Sequence, residues 1–536
     1  MLQLWQIFVD NVDPLTKVVH VPTLRPAIHK AVTNLESIPR SLEALMLAIY
    51  SAAVMSLKDG ECRQRFGQSQ KQLLSHYTSA TKGALSRSKF MGTSSIVVLQ
   101  ALVIHLLSVR DIYQPRTVWT LTGVALRIAE GMGLHRDGSI LGLPPYEIEI
   151  RRRVWWVLKL HDFRAAELSG LAKFPRLDMN DDTPKPPANI NDHELYPSMS
   201  SSPIISDRAT DMMFSVFRVE LLAGNVAKFR TLWSDSGVPE GGAADAVIDS
   251  IKDMLESTYL RHCDPAKPLH LLTMLHARSA LNVGRFMVHH PRRWTSTSQI
   301  SDSERHYVWT ISINLLEQYD MMQSNPTVTC FAWHASYFLP WHAFIHVLDT
   351  LRASPLMHDA SKVWRLVDAT YENNPDMVAN TKKLIHVAVG NLCLKAYSAR
   401  ESALAERGET IPEPPTCITA LRTLREVAKA GIHKPRTPRS KQTQTEVNAN
   451  GANPQRRNSL HGIPSPQGPL QQENSQALND EAGWYTSNME YDFVGTFNGT
   501  SNADLDFMMM DDFSAENAVD EPIDWSQWDA WLGNQN

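Results

Sequence analysis

Three groups of side chains in this sequence have types and spacings that chemistry could use. His342 and His346 stand four residues apart, which on a helix puts two imidazoles on one face at metal-ligand spacing. Ala343 stands where a metalloprotease helix carries Glu, and there is no obvious third ligand, so two core histidines are expected. Asp178, Asp181 and Asp182 form a carboxylate cluster of the kind that holds magnesium for a diphosphate substrate. They sit in a proline-bounded stretch with no second acidic motif to answer them, so a solvated loop is the simpler expectation. Asp162 falls among Trp155, Leu158 and Ala166, on what should be an apolar helix face. A carboxylate there needs a partner. Arg127 and Arg151 to Arg153 are the candidates, and a structural ion pair is preferred over a catalytic acid. The sequence has no Walker loop, nucleophile elbow or dinucleotide fingerprint. An enzyme is not expected.

Helices must position these groups. Val118, Leu121, Ala125, Ile128 and Met132 recur at steps of three and four, one face of a helix that Gly131 and Gly133 end. His135 to Gly138 reads as the following loop. Pro144 and Pro145 open a second helix, with Glu147 and Glu149 in its first turn, where the dipole favours acids. That helix runs through Trp155 and Trp156 to Gly170, and Pro184, Pro186 and Pro187 then mark extended chain. Further helices are predicted over Ser69–Leu85, Ser94–Arg110, Ala209–Leu232, Ala244–Tyr259, Leu269–His290 and Glu304–Met322. Phe331–Arg352, Ala360–Glu372, Asp376–Glu401 and Cys417–Ala430 complete the series. Ser41 is the expected cap of a long apolar helix, with Glu43 in its first turn, and Gly237–Gly242 is the expected linker. Hairpin signals are missing, so residues 1–432 are expected to form an all-α body.

Composition narrows the class. Hydrophobic residues make up 43% and charged residues 20%, ordinary for a globular chain. The net charge of −5 conceals a split: residues 458–536 hold 14 acids and no Lys or Arg. That leaves residues 1–457 with 43 acids against 52 bases, a net of +9, so a mildly basic body precedes an acidic interaction tail. Cys62, Cys263, Cys330, Cys393 and Cys417 are scattered, the nearest two 24 residues apart, which is neither a zinc spacing nor a disulfide framework. Ala44–Leu57 and Ile96–Val109 are too short to span a membrane. They read as buried core helices.

The composition changes at His433. Residues 433–483 are rich in Pro, Gln, Asn and Ser, and are expected to be disordered. Arg436, Arg439, Lys441, Arg456 and Arg457 give this segment a loose basic character, read as a nuclear import signal, a weak nucleic-acid contact or a solvated linker. Residues 484–536 interleave acids with Phe493, Phe507, Phe513, Trp525, Trp528, Trp531 and Leu532. This is the pattern of an acidic activation segment. Trp525, Trp528 and Leu532 share one helical face, suited to docking in a coactivator groove. The competing reading packs this end on the body as a terminal helix.

The run Arg151-Arg152-Arg153-Val154-Trp155-Trp156, followed by Asp162, Leu168-Ser169-Gly170 and Asn189-Ile190-Asn191-Asp192, resembles the fungal-specific transcription factor domain. That domain is the helical middle region of zinc binuclear cluster regulators. Val12-Asp13-Pro14-Leu15, His20-Val21-Pro22-Thr23, Cys263-Asp264-Pro265 and Trp341-His342-Ala343-Phe344-Ile345-His346 extend the likeness over residues 1 to about 400. The resemblance implies a nuclear regulator of a metabolic or secondary-metabolite gene set. It also implies two zinc ions in a six-cysteine cluster, yet no cysteine precedes Cys62. No cofactor is therefore expected in this chain, and DNA is expected to be reached only indirectly or through a missing N-terminal module. Coactivators or other zinc cluster factors are the expected partners, as homodimer or heterodimer, with no membrane. An all-α enzyme and a scaffold that heterodimerises with complete factors are the alternatives.

Overall fold

Residues 1–169, 182–222, 241–289, 300–381 and 383–432 are described by the computed structural model of this chain. Gly170, Asp178, Asp181 and the whole of 433–536, including every aromatic of the expected activation segment, lie outside the described residues. Among the described residues every regular element is a helix.

The chain opens with α1 (Leu2–Ile7), a π-turn at Phe8–Val12, α2 (Asp13–Thr16) and α3 (Val21–Thr33). Next come α4 (Arg40–Met55), α5 (Asp59–Phe66), α6 (Gln70–Arg87), α7 (Ile96–Val109), α8 (Pro115–Gly131) and α9 (Pro145–Leu168). Helices α4 and α7 are apolar nearly all round, and a helix of that kind must be enclosed by others. They pack on each other and on α6, while α1 covers α4. At the centre of this bundle Ser51, Thr78 and Ser108, one from each of α4, α6 and α7, hydrogen-bond at 3.3 and 3.1 Å. Small hydroxyl residues let the helices approach closely while leaving no polar group unpaired.

The second half holds α10 (Met213–Glu220), α11 (Gly241–Thr258), α12 (Pro268–His289), α13 (Asp302–Ser324), α14 (Ala332–Ser336) and α15 (Trp341–Ala353). It ends with α16 (Ala360–Asn373), α17 (Asp376–Ala379), α18 (Leu384–Glu406) and α19 (Thr416–Ile432). Ile190, Leu195, Met212 and Phe217 pack with Ile248, Leu255 and Leu281 in a core of their own. Phe331 and Trp333 instead reach back into the first bundle's core.

Several predicted boundaries move. Helix α4 starts at Arg40 after Pro39, with no side-chain cap, so Ser41 is inside it. Ser69 does cap α6, in a capping box with Gln72. The stretch predicted over Phe331–Arg352 is broken before Trp341, where Pro340 has no N–H to carry a helix through. Asp376–Glu401 splits into α17 and α18, and Gly241 lies within α11 rather than in a linker. Helices α3 and α5 are additional to the expected series.

Candidate functional site

Helix α9 distributes its arginines to three different tasks. The Arg151 guanidinium donates to the Met132 carbonyl at 3.0 Å, closing the end of α8. Arg152 makes a two-pronged pair with Asp137, both bonds at 2.8 Å. Asp137 also accepts from the Ser139 amide and hydroxyl and from the Lys185 amide. Although its burial acts the other way, these donors hold the Asp137 carboxyl well below the usual range. Trp155 and Trp156 are both buried, and the Trp156 indole donates to the carbonyls of Pro184 and Lys185. The motif is thus a fastening for the loops on either side of α9.

Arg153 is the centre of a buried ionic clamp. It is 1% exposed and pairs with Glu149 at 3.1 Å and Asp192 at 2.7 Å. Asp192 also accepts from the Lys17 ammonium at 2.6 Å, and Lys17 pairs with Asp13 at 3.0 Å. Lys17 ends α2 in the left-handed region, φ 48°, a strained conformation for a side chain of this kind that two buried carboxylates hold in place. His20 adds a 2.8 Å contact to the Asp192 carbonyl, and Glu149 accepts from the Ala188 amide at 3.1 Å. The clamp therefore joins the opening segment, α9 and the 184–195 loop. Burial pushes the Asp13 carboxyl up to about 6; Lys17 opposes this and Asp192 adds to it. Glu149 is deep in the second turn of α9 and faces Arg153, not the helix dipole as expected.

Behind the clamp is a partly open cavity of about 30 Å³, bounded by Leu15, Thr16, Arg110, His161, Arg164, Arg218, Trp333, His334, Tyr337 and Phe338 among others. Three helices aim guanidinium groups at it. Arg110, at the end of α7, lies 4.1 Å from the Tyr337 ring centroid and donates to the Trp333 carbonyl. Arg164 of α9 lies 4.9 Å from Phe338 and donates twice to the Tyr337 carbonyl. Arg218 of α10 faces the rings of Phe214 and Phe338 at 5.6 and 5.5 Å. Burial, with Arg110 beside it, lowers the Arg218 pKa to about 10. Burial and the nearby arginines also keep His161 neutral down to about 3 and drive His334 well below its ordinary value. Trp333 is held in place by its indole, which donates at 2.9 Å to the Asn11 carbonyl beside the π-turn.

The residues that suggested chemistry in the sequence are elsewhere. His346 is held neutral down to about 4 by burial in the apolar interior, against Phe286, and His342 is half-buried. Among the described residues no three His, Cys, Asp or Glu side chains converge as a metal site. Asp182 is exposed and pairs with Arg136 at 3.6 Å. Asp162 is half-buried and makes no ion pair with its expected partners, because Arg127 pairs with Glu130 and the α9 arginines are engaged as above. Cys393 and Cys417 come into hydrogen-bonding contact, which together with burial raises the Cys417 thiol. Their separation in the chain concealed that. The five cysteines, spread over different helices and loops, do not fit a six-cysteine zinc cluster. The cavity arginines were missed altogether. Only the place of Arg110, at the end of the mostly apolar run of α7, offered any sign of it.

Residues 5–158 match the fungal specific transcription factor domain, a span that ends just past Trp155 and Trp156. Over 439 residues the chain is 38% identical to the aurofusarin cluster transcription factor aurR2 of Gibberella zeae, covering 81% of this chain and 65% of that protein. It is 30% identical to the transcriptional regulator AacuB of Aspergillus aculeatus, over 79% of this chain and 58% of the relative. It is also 29% identical to the pyriculol/pyriculariol biosynthesis cluster transcription factor 1 of Pyricularia oryzae, over 77% of this chain and 57% of the relative. The chain thus spans less than two thirds of the length of each of these relatives.

Proposed function

We propose that this chain, which carries a fungal specific transcription factor domain, regulates transcription of a secondary-metabolite gene set. The observation that carries the reading is the likeness to cluster transcription factors over about four fifths of its length, through both halves of the helical body. In this reading residues 1–432 are the regulatory body and residues 484–536 recruit coactivators in the nucleus. DNA is read by a zinc cluster outside these residues or by a partner factor, since phosphate attraction alone carries no sequence information. Deleting the gene and measuring transcripts of neighbouring biosynthetic genes tests the reading. A fall of tenfold or more in a contiguous gene set is expected, and unchanged transcripts throughout would overturn it.

The tail has its own test. Fused to an unrelated DNA-binding domain, residues 484–536 should activate a reporter. Replacing Phe507, Phe513, Trp525, Trp528 and Trp531 with Ala should abolish that output, because the rings supply the docking area. A silent fusion, or an undiminished aromatic-free one, removes the activation role and favours a scaffold.

A further inference from the structure

The cavity behind the clamp has a charge that its surroundings do not balance. Arg110 and Arg164 each have a carboxylate at the rim, Asp111 at 3.5 Å and Glu167 at 2.6 Å, and neither carboxylate lines the cavity. Arg218 has no ion pair or hydrogen bond among the described residues, and meets only the aromatic rings. Arg218 is half-buried, and a cation withdrawn from water without a partner is costly; faces of aromatic rings recover only part of that cost. The same space contains polar atoms with nothing to bond. Both ring nitrogens of His161, both of His334 and the Tyr337 hydroxyl are buried without a hydrogen-bond partner among the described residues, and each of these residues is more than nine-tenths buried. Water would satisfy a hydroxyl or an imidazole, but it would leave the charge of Arg218 in place.

We infer that this cavity binds a small monoanion, a carboxylate group or an inorganic ion of similar size, held by Arg218 with the Tyr337 hydroxyl and imidazole N–H groups. The volume of about 30 Å³ accommodates roughly two water-sized groups, which suits a carboxylate. One net positive charge calls for one negative charge. Neutral imidazoles each present one N–H donor, so the donor set faces a single acceptor from several sides. The walls come from α2, α7, α9, α10 and the Trp333–Phe338 segment, so an occupant ties the two halves of the body together. The inference stands on these residues alone and is independent of the regulatory reading above.

The test uses the full chain. Thermal melting is followed while sodium acetate or sodium nitrate is titrated, with sodium HEPES at equal ionic strength as the reference whose anion is too large to enter. A saturating rise in melting temperature is expected over the reference. A rise with acetate alone identifies a carboxylate site; a rise with both identifies a site for any small monoanion. Arg218→Met keeps the apolar stem and should weaken the response at least tenfold. Tyr337→Phe keeps the ring and should weaken it several-fold, and it decides the matter if Arg218→Met does not fold. The inference is overturned if neither salt gives a saturating rise, or if the response is unchanged in the folded variants.

Discussion

Two arginines near Leu15 and Thr16, Arg153 buried and Arg218 half-buried, have opposite surroundings. Arg153 faces Glu149 and Asp192, and the same Asp192 also neutralises Lys17. Arg218 faces rings, two other arginines across a cavity and, among the described residues, no carboxylate. In the first arrangement every cation has a carboxylate, as expected of a structural fastening, although Nη2 of Arg153 and Oδ1 of Asp13 find no hydrogen-bond partner among the described residues. The second is incomplete, and burial of incomplete polar groups is where function is to be sought. Arg153 is fully buried and Arg218 half-buried, but the sharper difference between these two arginines is charge balance.

Removing each guanidinium is the most direct way to break the comparison. Arg153→Ala leaves two buried carboxylates facing each other and should cost about 3–5 kcal/mol in denaturant unfolding. Arg218→Met removes a half-buried cation that has no ion pair among the described residues and should cost nothing or stabilise the fold in an anion-free buffer. Equal losses for the two variants would show that charge balance does not distinguish the regions.

A smaller effect is expected from pH. In the clamp three carboxylates, Asp13, Glu149 and Asp192, meet two cations, Lys17 and Arg153. With its pKa raised by burial to about 6, Asp13 binds a proton in the folded state at pH values where the unfolded chain has lost it. Its contribution to stability is therefore present below the ordinary carboxylate range and is lost as pH rises through about 6. Asp13→Asn cannot titrate and should gain on the parent between pH 5 and pH 8, on the order of 1 kcal/mol. Both proteins should lose stability as pH falls below about 6.5. Burial holds His105 and His346 near 4 and His161 and His276 near 3, so the unfolded chain takes up those protons first. Unfolding curves at the two pH values check this, and a parent–variant difference independent of pH would refute it.

Much of the architecture was legible because period and punctuation are local. Steps of three and four residues marked α8, and Pro144-Pro145 marked the start of α9. The break before Trp341 went unread although Pro340 signals it, because the apolar run on either side looked continuous. The clamp was half legible. Asp13 and Lys17, like Glu149 and Arg153, are four apart on single turns, whereas Asp192 joins them only through a fold contact across 175 residues. The cavity was illegible. Arg110, Arg164 and Arg218 are more than fifty residues apart in sequence, and only helix packing brings them to one space.

The smallest effect concerns Asp162, whose position among apolar residues predicted a buried ion pair. Its expected partners are all committed elsewhere. The charge closest to it in effect is Lys159, one turn earlier on α9, whose ammonium also lies 5.8 Å from the Trp155 ring. Partial burial raises the Asp162 carboxyl, with Lys159 opposing, so ionisation of Asp162 is disfavoured by the fold and contributes little cohesion. Asp162→Ala should therefore change stability by less than about 1 kcal/mol at neutral pH, unlike the 3–5 kcal/mol expected of Arg153→Ala on the same helix. Denaturant unfolding of the two variants side by side gives the measurement. A loss above about 2 kcal/mol for Asp162→Ala would mean that the side chain has a partner in solution, and that the division between paired and unpaired charge along α9 has been drawn in the wrong place.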